Sequence, residues 1–517
     1  MAEVALQRGY PEIALKNYLK ITQAAQDPRF AQRATEIALN LREPFAAEKA
    51  VSLWTQLDPS SLNANQAAAA LLVNMGRLDE ARPHLEILLA SDDSAVDDAF
   101  MQLNKLLATH SDKVASLKLV QQLAEPYPDL PEAHFAVSQA AWLAEYYEIA
   151  LNAMKQALAL RPDWEIAAVY QGQILRRMHY ADVAAYYKDF LDKYPKANEV
   201  RAAYVRMLIA EQDYDSARAQ LQQLLVENPD NADIALTIGL LSMELRDFDL
   251  TETHFKKALG LGYKDPSSIH FYLAQIYEET QRSDMAMASY RKVKTGDRFI
   301  PAQIRYAALL AEKGELNAAR QHLQQLPAAN DQQMAHLILA EAQLLRQLGE
   351  HQQVYDLLDD GLQKLPDFPE LLYDRALAAD KIGKFDILER DLRRLIQLRP
   401  ESAHAYNALG YSLAERGDRL PEALKLIKKA VALSPDDAYI MDSLGWVYYR
   451  MGNIQEGLNY LNLAFAARPD PEIAAHLGEV LWVKGAKEDA KKIWQSVLRD
   501  NPDNEVLLQT MERFLSQ

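Results

Sequence analysis

The sequence has no cysteine, which excludes disulfide bonds and zinc sites built from thiolates. A chain without thiols tolerates oxidising and reducing compartments equally, so this absence does not indicate where the protein resides. The sequence also lacks any run of about 18 apolar residues, the length that a membrane-spanning helix needs. We therefore expect that no segment of this sequence crosses a bilayer.

Positive charge is in short supply. The 56 Lys and Arg residues are outnumbered by 73 Asp and Glu residues, and the formal net charge is −17. A chain this acidic is not expected to bind nucleic acid or an anionic membrane surface through bulk electrostatics. The totals leave room for a local basic patch.

Catalytic motifs are missing as well. The sequence contains no GxxxxGK[ST] or GxGxxG loop for phosphates and no GxSxG nucleophile turn. The eleven histidines are scattered, and the closest two, His322 and His336, are fourteen residues apart, so no HExxH-type metal site exists. We predict that the chain is not an enzyme and that it needs neither a metal nor a cofactor.

What remains is an aliphatic, alanine-rich and highly charged chain, in which Pro and Gly fall mainly in short segments. Alternating strand-like runs are not evident, so the composition indicates an almost wholly helical protein. At 517 residues the chain is too long for one ordinary core. It should form either several domains or one extended repeat array, and the composition favours the array.

Prolines recur at a fixed spacing. Successive gaps are 34, 33 and 34 residues in the first half of the chain, and 34, 35, 34 and 33 in the second. The residues are Pro128, Pro162, Pro195 and Pro229, followed by Pro366, Pro400, Pro435, Pro469 and Pro502. A period near 34 residues indicates a helix–turn–helix repeat, provided that interior positions recur in phase.

Interior positions do recur, at the same distances before each proline. They are Leu444, Gly445, Tyr448 and Gly457 before Pro469; Leu477, Gly478 and Ala490 before Pro502; and Leu409 and Gly410 before Pro435. A glycine inside a helix costs about 1 kcal/mol relative to alanine. Its return at three matching positions predicts that two helix backbones approach closely there.

These positions resemble the tetratricopeptide repeat family over essentially the whole chain. The resemblance implies an all-α solenoid, a right-handed superhelix of about fourteen helix-turn-helix repeats with a C-terminal capping helix. We place a partial first repeat at 1–28, a divergent N-terminal array at 29–265 and irregular repeats, a candidate bend, at 266–366. Consensus-like repeats follow at 367–503, and the capping helix at 504–517.

In this family the first helix of each repeat lines a concave groove that binds peptides. On a helical projection Trp446 and Tyr449 lie roughly 200° and 140° from Leu444, so they face away from the stripe that carries Leu444 and Tyr448. The candidate partner-binding residues on such faces are Trp142, Asn407, Tyr411, Trp446, Tyr449, Arg450, Glu479 and Trp482. Aromatic and Arg side chains dominate binding hot spots. The alternative is that they only fill the joint between adjacent first helices.

Two basic runs, at 392–395 and 425–431, fall on second helices. We interpret them as solvated faces, with contact to an acidic partner as the alternative.

The segments 14–39, 407–452 and 470–490 resemble a narrower group, proteobacterial tetratricopeptide lipoproteins that include the partner of a periplasmic carboxyl-terminal processing protease. This resemblance implies a periplasmic adaptor, anchored to the outer membrane through an acylated Cys upstream of residue 1, that brings peptidoglycan hydrolases to the protease. It implies no nucleic-acid partner, and membrane contact only through the lipid. The alternatives are a scaffold for an envelope export or polysaccharide secretion complex, and a cytoplasmic location.

Overall fold

The computed structural model describes residues 2–90, 96–108 and 110–515, and in these residues it contains 31 α-helices and no strand. The all-α repeat fold predicted from the sequence is confirmed. None of the helices in the described ranges is long and apolar enough to span a membrane. The chain divides into two compact units, Met1–Tyr263 and Lys264–Gln517, here called the N-terminal unit and the C-terminal unit.

The N-terminal unit holds sixteen helices in its described part: α1 (Ala2–Gln7), α2 (Pro11–Ala25), α3 (Pro28–Asn40), α4 (Pro44–Leu57), α5 (Leu62–Asn74), α6 (Leu78–Leu89), α7 (Val96–Leu107), α8 (Lys113–Ala124), α9 (Pro131–Leu143), α10 (Tyr147–Leu160), α11 (Glu165–Arg177), α12 (Val183–Lys193), α13 (Asn198–Ala210), α14 (Tyr214–Glu227), α15 (Ala232–Glu244) and α16 (Phe248–Gly260).

The described part of the C-terminal unit holds fifteen: α17 (Pro266–Glu279), α18 (Ser283–Tyr290), α19 (Phe299–Glu312), α20 (Leu316–Gln324), α21 (Asp331–Gln347), α22 (His351–Lys364), α23 (Pro369–Lys381), α24 (Phe385–Leu398), α25 (Ala403–Glu415), α26 (Leu420–Leu433), α27 (Ala438–Arg450), α28 (Ile454–Ala467), α29 (Pro471–Lys484), α30 (Lys487–Leu498) and α31 (Glu505–Leu515).

Helices α3 to α30 form fourteen consecutive pairs within the described ranges, each a first helix packed on a second helix. Helices α1 and α2 precede the pairs, and α31 follows them and packs on α29. This is the arrangement expected of a partial repeat, fourteen full repeats and a terminal helix. A single pair cannot bury its apolar stripe, so the stability of each unit depends on the stacking of neighbouring pairs.

The turn inside a repeat is built on one left-handed residue, as Gly452 shows between α27 and α28. Its φ is 84°, a conformation that side chains with a Cβ rarely adopt. The backbone N–H groups of Gly452 and Asn453 donate to the carbonyls of Tyr449 and Tyr448, which closes the end of α27. The Asn453 side chain then accepts from the backbone of Glu456 and caps α28.

The recurring prolines stand just after the second helices. Helix α26 ends at Leu433 and Pro435 follows, and α28 ends at Ala467 and Pro469 follows. Proline cannot extend a helix and restricts the residue before it, so each second helix stops in register with the repeat.

The interior glycines lie where first and second helices touch. A Cβ added to Gly445 would lie 2.9 Å from the Gly457 carbonyl oxygen, and one added to Gly457 would lie 3.1 Å from the Gly445 carbonyl oxygen. A Cβ on Gly410 would fall 2.6 Å from Ile427, and one on Gly478 would overlap the Trp494 ring. Leu409, Leu444, Leu477 and Ala490 are buried beside these contacts.

Helices of unusual length lie between residues 283 and 347. The second helices α18 and α20 have only 8 and 9 residues, whereas the first helix α21 has 17. The lengthened joints in this stretch of the sequence therefore replace helical turns of the second helices.

Candidate functional site

Trp446, at the centre of α27, lies in the joint between first helices of the C-terminal unit. Its indole is 4% exposed and stacks on the imidazole of His476, with ring centroids 4.1 Å apart. Its Nε1–H donates to the Glu415 carboxylate at 2.7 Å. Trp446 therefore joins α25, α27 and α29, and it offers almost no surface to a partner. Of the two interpretations open for Trp446, its position matches the joint between repeats.

His476 continues this joint through both ring nitrogens. Nδ1 lies 2.9 Å from the Asp442 carboxylate and donates to it, because an ionised carboxylate can only accept. Nε2 lies 3.3 Å from the Tyr411 hydroxyl. A line of three polar groups, Tyr411, His476 and Asp442, thus crosses three successive first helices. We call these residues, together with Trp446 and Tyr449, the aromatic cluster.

Burial and charge act in opposite directions on His476. Burial lowers the pKa of the imidazole, but the Asp442 carboxylate beside Nδ1 outweighs it, and the pKa stays above its usual 6.5. Glu415 and Glu472 add in the same direction as Asp442. His476 is therefore held in its charged form by an acidic surrounding.

Tyr449 extends the aromatic cluster towards the C-terminal end. Its ring lies 5.2 Å from that of Trp446, and its hydroxyl donates to Glu479 at 3.2 Å. Burial, together with the Glu479 carboxylate, raises the pKa of Tyr449 to about 12. Glu479 is buried and also pairs with Arg513 on α31. Glu479 thus links α27 to the terminal helix, while the Tyr449 ring stays partly exposed.

Arg450 lies at the rim of the cluster. One of its Nη atoms donates to the Glu415 backbone carbonyl at 2.6 Å and lies 3.8 Å from the Glu415 carboxylate. The guanidinium is 5.9 Å from the Trp446 ring centroid. Because this ion pair is partly exposed, it is worth little to stability, and the guanidinium remains available to a partner carboxylate.

Asn407 and Tyr411 present the half-buried surface of α25. Burial raises the pKa of the Tyr411 hydroxyl, and Glu415, Asp442, Glu472 and Asp380 act in the same direction. The Asn407 side-chain oxygen is buried and has no hydrogen-bond partner among the residues that the structure describes. This face therefore combines aromatic rings with an excess of negative charge.

The remaining two candidates lie outside the aromatic cluster. Trp482 stacks on Trp494 at 5.8 Å and on Phe514 at 6.2 Å, and Lys487 lies over its ring, so it packs at the C-terminal cap. Trp142 lies in the N-terminal unit, half-buried, with its ring 5.4 Å from Tyr147. The candidates thus form one cluster and two separate positions.

The sequence analysis missed Asp442 and His476. Their separation of 34 residues equals the repeat period, and this signal places them at equivalent heights on adjacent first helices. The period does not reveal that their side chains point at each other. In the described ranges no group of three or more His, Asp or Glu side chains is arranged to hold a metal ion.

The His476–Asp442 pair predicts a pH dependence of stability. A base whose pKa is higher in the folded state stabilises that state fully below its unfolded pKa, near 6.5, and the gain is lost as pH rises through the folded pKa. We expect the Asp442→Asn variant to lose about 1.5–3 kcal/mol at pH 6, the range for a hydrogen bond to a charged group, and less at higher pH.

The measurement is the difference in unfolding free energy between wild type and Asp442→Asn from pH 5.5 to above 8. A difference is needed because burial lowers the pKa of His270 and His322 in the same unit, and these groups slope in the opposite direction. A difference that does not change with pH would contradict the prediction.

Models of the tetratricopeptide repeat match this chain at residues 177–241, 268–295, 373–438 and 443–505. The chain is 32% identical over 482 residues to the TPR repeat-containing protein PA4667 of Pseudomonas aeruginosa, and the match covers 93% of this chain and 81% of that protein. The chain belongs to the tetratricopeptide repeat (TPR) family. The family predicted from the proline and glycine spacing is confirmed.

Two more distant TPR-like matches accompany it. The chain is 24% identical over 302 residues to cellulose synthase operon protein C of Pseudomonas fluorescens, covering 53% of this TPR chain and 23% of that protein. A tetratricopeptide repeat protein from Parabacteroides merdae shares 15% identity, with 48% of this chain and 98% of that chain covered and a TM-score of 0.40. TPR proteins are generally non-catalytic scaffolds for protein interactions, which is consistent with an adaptor.

Proposed function

We propose that this TPR protein is a non-enzymatic adaptor that brings protein substrates, peptidoglycan hydrolases, to a periplasmic carboxyl-terminal processing protease. We further propose that it works in the periplasm, anchored to the outer membrane through a lipidated Cys upstream of residue 1. The location and the two partners derive from the resemblance of segments 14–39, 407–452 and 470–490 to TPR lipoproteins of that kind.

The observation that supports a binding role most directly is the rim of the aromatic cluster. Tyr411, Tyr449 and Arg450 are partly exposed on successive first helices, and the buried Trp446 and His476 hold them in place. Side chains fixed by such packing lose little freedom on binding, and Tyr and Arg are common hot-spot residues. The rim therefore suits recognition of an extended protein segment.

An adaptor of this kind needs no chemistry of its own. When one surface holds the protease and another holds the substrate, cleavage becomes an intramolecular encounter with a raised effective concentration. The expected effect is a faster degradation of substrates that the protease alone cleaves slowly.

The proposal is tested by a pull-down with catalytically inactive protease and by a degradation assay of a cell-wall hydrolase, each with and without this protein. We expect capture of the protease and degradation at least about tenfold faster, which corresponds to about 1.4 kcal/mol. The double variant Tyr449→Ala/Arg450→Ala is expected to lose capture of one partner while its helicity is retained.

The matched control is Leu463→Ala, because Leu463 is exposed on the second helix of the same repeat. It should behave as wild type in both assays. No enrichment of the protease together with an unchanged degradation rate would sink the proposal.

The second candidate is a TPR scaffold for an envelope export or polysaccharide secretion complex. The similarity to cellulose synthase operon protein C favours it. In that case the rim would bind a stable partner that is never degraded. Persistence of the captured partner beside active protease would support the scaffold over the adaptor.

A further inference from the structure

Three exposed arginines lie together in the N-terminal unit, apart from the aromatic cluster. Arg176 and Arg177 occupy the last turn of α11, and Arg206 lies on α13, the next first helix, which packs on α11. The hydroxyl of Tyr187 on α12 marks their proximity: burial raises its pKa, and the charges of Arg206 and Arg176 both oppose this. Both guanidinium groups are therefore near one point of the surface.

These arginines differ from most others in the same unit. Arg77, Arg82 and Arg218 each pair with a carboxylate on or beside their own helix. Arg176, Arg177 and Arg206 have no carboxylate within 4.0 Å among the residues that the structure describes. In a chain of net charge −17, three neighbouring positive groups without internal ion pairs are unusual.

Aromatic side chains continue the surface on one side. The Arg177 Nε–H donates to the Tyr147 hydroxyl at 3.1 Å, and the guanidinium lies 5.6 Å from the Tyr147 ring centroid. Tyr147 packs edge-on against Trp142. The arginines and these two rings thus cover three successive repeats.

We propose that this surface, the arginine patch of Arg176, Arg177 and Arg206 with Trp142 and Tyr147, binds an acidic segment of a partner polypeptide. A guanidinium presents a planar fork of N–H donors that matches a carboxylate and binds it in a bidentate manner. The half-buried rings offer apolar contact to the residues between the acids. This binding site does not depend on which partner the aromatic cluster takes.

The charges around the patch favour a short acidic peptide over a nucleic acid. Glu145, Glu211 and Asp213 lie in the turns that follow α9 and α13. A continuous polyanion would run past the arginines into these carboxylates, whereas a peptide with a few Asp or Glu residues ends before them. The dipole of α11 also favours positive charge in its last turn, but it does not account for Arg206 on another helix.

The experiment measures binding of a fluorescent Glu-rich peptide to the full chain by anisotropy, beside a counterpart with Gln in place of Glu. We expect the wild type to bind the Glu peptide in a salt-dependent manner and to ignore the Gln peptide. The Arg176→Glu/Arg206→Glu variant should bind roughly tenfold or more weakly, the equivalent of one lost charge-assisted contact. Arg176→Gln/Arg206→Gln should lie between the two.

The matched control is Lys425→Glu/Lys429→Glu, which changes the charge equally at exposed positions of the second helix α26. It should bind the Glu peptide as wild type does. An equal loss in both variants would show that only total charge matters, and a loss confined to the control would place the site on the 425–431 run. Tighter binding of a single-stranded oligonucleotide than of the Glu peptide would also overturn the proposal.

Discussion

Replacing Gly445 with alanine is expected to destabilise the C-terminal unit by about 3 kcal/mol, the upper part of the range for an overpacked core. The added Cβ would lie 2.7 Å from Leu461 Cγ and 2.9 Å from both the Gly457 carbonyl oxygen and the Leu461 backbone nitrogen. Two of these three atoms belong to the backbone of α28, so a rotamer change cannot relieve the overlap. The helices must separate, and that loss outweighs the gain of about 1 kcal/mol in helix propensity.

Hydrogen exchange of the amides in α27 and α28 would measure this effect locally, because an unfolding transition of the whole chain need not be two-state. The matched control is Gly260→Ala. Gly260 ends α16, and a Cβ there would meet nothing within 4 Å. We expect the control to be neutral or slightly stabilising. Unchanged protection in Gly445→Ala would show that the close approach of the two helices is not needed.

Replacing Trp446 with alanine is expected to cost about 3–5 kcal/mol, as for other buried tryptophans. The substitution removes the stacking partner of His476 and leaves a cavity among three first helices. Trp446→Phe keeps an aromatic ring but loses the hydrogen bond to Glu415, and should cost only about 1–2 kcal/mol because Glu415 is exposed to water.

Urea unfolding followed by circular dichroism would separate these variants from Tyr439→Ala, which removes a 40% exposed ring from the same helix. The control should lose less than about 1 kcal/mol. If Trp446→Ala instead retained wild-type stability and lost only the binding of a partner, then Trp446 would contact the partner directly and the joint described above would not hold in solution.

The repeat architecture could be predicted from the sequence because it depends on backbone rules that act locally. Proline ends a helix wherever it stands, and a glycine that recurs inside a helix indicates a close contact. Pro435, Pro469, Gly445 and Gly478 lie in the structure where these rules place them. The fourteen pairs and the terminal helix follow from the same spacing.

The candidate site could be predicted only in part. Helical periodicity placed Trp446 and Tyr449 away from the contact within their own repeat, and the structure agrees with that. Periodicity cannot distinguish a joint between neighbours from an open face, because both lie on the same side of the first helix. The partly exposed Tyr449 and the buried Trp446 are three residues apart and differ in role for this reason.

The sequence by itself determined the fold class, the family, the number of repeats and the side of each first helix that faces away from its own second helix. The tertiary structure alone decided that Trp446 is buried against His476, that Asp442 holds the charge on His476, and that Arg176 and Arg206 meet on one surface. These contacts join residues about one repeat apart. They depend on how far each helix is displaced and rotated against the next, and that geometry results from the packing of all the side chains between them.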